Sequence, residues 1–161
     1  MKFIAENLTV LIIQQRDFRL NITNIYSPSP ENYNQMNDSS SIHCLQKTLD
    51  QPGEHVLVDD LNLHHKSWRG NQVNREHRMA ADLLKQMKQS NLVLITPPGM
   101  ITQDLHESKI IIDLIFVSSI IHDWLIHCQE AAELDKASDH KPIETLFYSD
   151  VKTEGTAKHR S

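Results

Sequence analysis

The chain has 161 residues, 39% of them apolar and 23% charged, which suits one ordinary soluble-type domain with its own core and does not suit a disordered segment. A net charge of −5 argues against a protein that grips nucleic acid by bulk positive charge, yet it is compatible with an enzyme whose acids hold a metal. No apolar run approaches the ~18 residues of a membrane span, and Cys44 and Cys128 form neither a disulfide framework nor a metal-ligand spacing.

In chain order, MKFIAENLTVLIIQQ is not expected to be a secretory leader, because Glu6 and Asn7 break its apolar part. The expected setting is intracellular and reducing, and no basic nuclear-targeting run is present. LTVLIIQQ reads as a strand. FRLNITNIY reads as a second, with Phe18, Leu20 and Ile22 alternating against Arg19, Asn21 and Thr23. QRD between them predicts a hairpin. SPSPEN breaks the pattern, and the chain from Glu31 to Asp50 is weakly helical, with Met36, Ile42, Leu45 and Leu49 apolar.

After the turn QPGE, HVLV is a short apolar strand. NREHRMAADLLKQMKQSN predicts a helix with Met79, Ala80, Leu83, Leu84 and Met87 on one face and Asn74 as its cap. LVLI is a strand closed by TPPGM. KIIIDLIFVSS reads as one strand with an acid in its middle, and DWLIHCQEA as another. SDHKPIETLFY opens as a loop and ends as a strand. Residues 1–149 then form one domain and residues 150–161 a polar tail. The expected fold class is α/β, with two packed sheets flanked by helices, because strands outnumber helices and strict βαβ alternation is absent.

Three segments carry candidate chemistry. Asp113 interrupts an apolar run and must find a partner. His140 is one candidate, since an Asp can fix the tautomer of a His ring. Backbone N–H groups at a strand end are the other candidate, and residue statistics favour them. In VDDLN, Asp60 and Asn62 fall on one side of an extended chain, offering oxygens to a hard cation and an N–H to a phosphoryl oxygen. Solvated acids in a surface turn are the plainer reading of that segment. A phosphoacceptor site of the receiver type is excluded, because LVLITPP ends without the required acid. Adjacent His64 and His65 diverge on a strand and lack nearby Cys, so zinc is not expected. Trp68 reads as a loop anchor.

Taken in order, NIYSPSP, VLVDDLN, IIDLIFVSS and SDHKPI resemble the motif series of the endonuclease/exonuclease/phosphatase family. NLHHKSWRG and ITPPGMIT narrow the likeness to endonuclease domains of non-LTR retrotransposons, fungal ones in particular. It runs from about Asn24 to Phe147. The resemblance implies a DNase I-like four-layer sandwich and phosphodiester cleavage of DNA with Mg²⁺ or Mn²⁺. It implies His140 as the catalytic His, Asp113 orienting it, Asp60 positioning water, Asn62 and Tyr26 on the phosphate, and Asp139 with Asp60 at the metal. The family's opening strands, with an Asn and a metal-binding Glu, have no counterpart here, so an N-terminally truncated member is expected. Asp59 replaces the family's Gly, placing like charge beside Asp60. Two functional expectations follow: a metal-dependent nuclease, or a non-catalytic remnant that keeps the fold as a binding module.

Overall fold

The computed structural model describes residues 7–27, 40–70, 76–105, 108–134 and 138–148. The initial hairpin forms as expected. Strand β1 (Leu8–Gln15) pairs antiparallel with β2 (Phe18–Ile25), and Arg16 turns the chain at φ 45°. Helix α1 (Ser40–Leu49) returns the chain to β3 (Glu54–Asp60), which lies parallel to β2. The short helix α2 (Lys66–Arg69) and helix α3 (Arg78–Gln89) lead to β4 (Leu92–Leu94). A small hairpin, β5 (Gln103–Leu105) and β6 (Ser108–Ile110), precedes β7 (Asp113–Ser118), which inserts antiparallel between β3 and β4. Helix α4 (Ser119–Asp123) and the antiparallel ribbon β8 (Leu125–Glu130) with β9 (Ile143–Phe147) complete the described elements.

The main sheet is five-stranded, in the order β1-β2-β3-β7-β4. Both of its faces are covered at the centre, so the middle of β3 (Val56, Leu57, Val58) and of β7 (Leu114 to Val117) is apolar, with the polar residues at the strand ends. Leu57, Leu114 and Phe116 face a core built with Leu45 and Leu49 of α1, Trp68 of α2, and Ala80, Leu83 and Met87 of α3. Val56, Ile115 and Val117 face the opposite way, against Leu125, Cys128, Ile143 and Phe147 of the β8–β9 ribbon. Among the described residues, helices α1, α2 and α3 thus cover one face of the large sheet, and the β8–β9 ribbon, with Ile121 of α4, covers the other.

Four local expectations are corrected. Asn21 and Thr23 are 1% exposed and face the helical layer, whereas Phe18, Leu20 and Ile22 are only partly buried against the ribbon. Asn21 is tolerated there because its Nδ2 donates to Pro52 O and Glu54 O at 3.1 and 3.2 Å. Helix α3 starts at Arg78 with extended His77 before it; the His77 N–H is committed to His64 O at 3.0 Å. Asn74 lies outside the described residues. KIIIDLIFVSS is two strands, and Asp113 opens the second rather than sitting mid-strand. The β5–β6 hairpin and α4 were not foreseen, because both segments are short and lack strong periodicity.

Candidate active site

Asp113 is placed by a hydroxyl that the sequence reading did not single out. Thr102, fully buried, uses Oγ1 to accept the N–H of Ile112 and that of Asp113, both at 3.0 Å. These bonds satisfy the backbone where β6 ends and β7 begins. Thr96, earlier in the same loop, uses its hydroxyl to accept the Ile115 N–H at 2.8 Å. The two threonines of ITPPGMIT are thus acceptors for the backbone of the Asp113 strand.

Residues 139–141 bridge to the β5 strand. Asp104 N–H donates to Asp139 O at 2.9 Å, and Lys141 N–H to Thr102 O at 2.8 Å. That bridge delivers the His140 ring to Asp113. His140 Nδ1 lies 3.1 Å from both Oδ1 and Oδ2 of Asp113. A carboxylate only accepts, so Nδ1 carries the proton and Nε2 presents a lone pair. Gln103 Nε2 donates to that ring nitrogen at 3.3 Å and to Asp139 Oδ2 at 2.7 Å. Of the two partners weighed for the Asp113 carboxylate, His140 and backbone N–H groups, the imidazole is the one in contact.

Asp60, the last residue of β3, is the register partner of Asp113. Directly opposed residues of an antiparallel pair share a face, so the two carboxylates project to the same side. Burial first, and then the Asp113 charge, raise the Asp60 carboxyl above its ordinary value; the Asn62 N–H and His140 oppose that shift. Asn62 N–H reaches Asp60 Oδ1 at 3.1 Å because Asn62 adopts φ 48°, a left-handed turn that Asn accommodates. Asn62 Nδ2 donates to Ser27 O, and Ser27 N–H to Asp60 O, each at 3.0 Å. These bonds tie the end of β2 to the end of β3. Tyr26, one residue before Ser27, has an exposed phenol at that same sheet end.

A cavity of about 330 Å³ opens here, lined by Asn24, Val58, Asp60, Asp113, Lys141 and Ile143 among others. Its floor is the inter-sheet core and its rim is polar. Asp139 lies outside on the exposed side; its hydrogen bond from Gln103 holds its carboxyl below the usual range. Among the described residues no group of three His, Cys, Asp or Glu side chains is arranged to hold a metal ion by itself. The donors present are nonetheless oxygens, and Asp60 sits in a position where a cation would relieve its crowding by Asp113. That fits a hard ion such as Mg²⁺, which keeps several waters and needs only one or two carboxylates plus a phosphate.

The HHKSW segment is structural around this site. Trp68 is fully buried, with Nε1 donating to Leu63 O at 3.1 Å, and its carbonyl accepts Gly99 N–H at 2.9 Å. The loop after β3 and the TPPG loop are thereby locked together. His65 Nδ1 accepts Ser67 N–H at 3.1 Å and caps α2. His64 packs on His77 with ring centroids 4.8 Å apart. Thr102, Gln103, Lys141 and Asn24 were not foreseen at the site; for Thr102 the Thr of ITPPGMIT was the available signal.

The endonuclease-reverse transcriptase family matches residues 20–144. No curated protein sequence matches the chain. Among solved structures, it is similar to the endonuclease domain of TRAS1, a telomere-specific non-LTR retrotransposon, with TM-score 0.66 at 15% identity over 89% of this chain and 64% of that one. It is similar to a 3'-5' exonuclease from Neisseria meningitidis, with TM-score 0.60 at 16% identity over 86% and 64%. An AP endonuclease from Leishmania major gives TM-score 0.66 at 12% identity over 89% and 55%. The chain spans less than two thirds of the length of each of these structures. At such identities the likeness is one of fold.

Proposed function

We propose, for a chain that belongs to the endonuclease-reverse transcriptase family, that it is a DNA-processing hydrolase that cleaves a phosphodiester with the aid of a divalent metal. The observation that carries this reading is the 3.1 Å contact of His140 Nδ1 with Asp113, beside the Asp60 carboxylate at one end of the sheet. Asp113 holds the ring so that Nε2 faces away from it; once the long Gln103 contact yields, that nitrogen is in the tautomer that can exchange a proton with a reacting oxygen. Asp60 is placed to orient the attacking water. Asn62 keeps a second amide N–H for a phosphate oxygen, and Tyr26 offers a phenolic donor at the same end. Asp60 and Asp139 are the carboxylates proposed to hold Mg²⁺ or Mn²⁺. Such an ion would neutralise charge developing on the phosphoryl group.

The reading predicts nicking of supercoiled plasmid in Mg²⁺. His140→Ala should lower the rate by about 10²–10⁴-fold, the usual range for a general acid or base. Equal nicking by the two proteins would reject it. The second reading is a binding module that keeps the fold without turnover. It predicts DNA binding with no nicking at any metal concentration.

A further inference from the structure

We infer that Lys141 is a phosphate-binding residue of this site, a fixed cation that leaves Glu130 to take a non-bridging oxygen of the substrate phosphate. The inference rests on the hydrolase reading above and adds to it the group that would grip the phosphodiester. Lys141 and Ile143 alternate onto the same face of the chain, and both line the cavity with Asp60 and Asp113. Lys141 is the one cationic side chain among the described residues that line it. Its ammonium donates to Glu130 Oε2 at 3.1 Å. Glu130 is the register partner of Ile143, so it shares that inner face.

The Lys141 backbone is held on both sides. Its N–H bonds Thr102 O, and the carbonyl of Pro142 accepts Ala131 N–H, each at 2.8 Å. The stem therefore starts from a fixed point beside His140. The ion pair itself is open to exchange, since its side chains are 25% and 29% exposed and partly solvated pairs are held weakly. A phosphate oxygen is an equivalent anionic acceptor for a Lys ammonium. The need is plain from the charges: a phosphodiester entering this cavity meets Asp60 and Asp113, with Asp139 just outside. A fixed cation offsets that repulsion whichever ion the carboxylates recruit.

The test is equilibrium binding of a labelled duplex oligonucleotide in Mg²⁺, measured by anisotropy across a salt series. All proteins carry His140→Ala to prevent turnover. Glu130→Gln added to that parent should bind at least as tightly as the parent, because Lys141 is released; weaker binding contradicts the inference. Adding Lys141→Met to Glu130→Gln avoids a stranded carboxylate and should weaken binding about tenfold or more. It should also lower the slope of log K against log salt by about 0.9, the loss of one phosphate contact. Lys141→Arg should restore both. Unchanged affinity and slope with Lys141→Met overturn the inference, as does failure of the His140→Ala parent to bind. Plasmid nicking by the unmodified chain separates the two claims. Nicking with Lys141-independent binding removes only this inference, and Lys141-dependent binding without nicking removes only the hydrolase reading.

Discussion

At His64, folding and protonation oppose one another. Burial first, and then the nearby Arg69 guanidinium and His77 ring, lower the His64 imidazolium to about 4 from 6.5. The unfolded chain therefore binds this proton more tightly than the folded one. The His64 contribution to stability is fully present above pH 6.5 and is lost as the pH falls through about 4. We expect the melting temperature to decline over that window, and His64→Gln to show a shallower decline. Parallel melting curves for the two proteins between pH 7 and pH 4 would refute this. Residue chemistry in the sequence did not reveal the effect, since HH beside a strand says nothing of which ring is desolvated beside Arg69 and His77. Asp113 was more legible: an acid in an apolar run demands a partner, and His140 was one of two named.

The element that aims the site is β7, and its position depends on a side chain in a loop. Thr102 accepts two backbone N–H groups at the β6–β7 junction. Thr102→Val keeps the shape and strands both donors, at a cost of about 1–3 kcal/mol each. For a chain of this length the melting temperature should fall by roughly 4–24 °C, and Thr102→Ser should recover most of it. A Thr102→Val melting curve that matches the parent would show that the hydroxyl is dispensable. Strands β1, β2, β3 and β7 were legible from apolar runs and turn residues. The β5–β6 hairpin was not, because Gln103–Leu105 and Ser108–Ile110 are three residues each and owe their form to pairing with one another. Gln103 and Lys141 stayed hidden for the same reason: both reach the site through that hairpin's bridge to residues 139–141.

On the scale of the whole molecule, a broad sheet is sandwiched between helices and a narrow ribbon. The polar residues gather where β2 and β3 end and β7 begins, beside the segment 139–141 that bridges to β5. Four short motifs in order named residues spread from Tyr26 to His140, and the fold returns them to the same sheet end. The width of the second sheet was not legible from them. Strand β1 forms one edge of the large sheet, with Leu11, Ile12 and Ile13 exposed, an arrangement that invites association unless covered. The central claim is that Asp113 and His140 act as one chemical unit. Single-turnover cleavage of a duplex oligonucleotide in Mg²⁺ by the unmodified chain, Asp113→Asn, His140→Ala and the double variant tests it most directly. If Asp113 works through the imidazole, the double variant matches His140→Ala within about twofold, as for residues that function together. Multiplied losses in the double variant, or an unmodified chain that cuts no faster than His140→Ala, would contradict it.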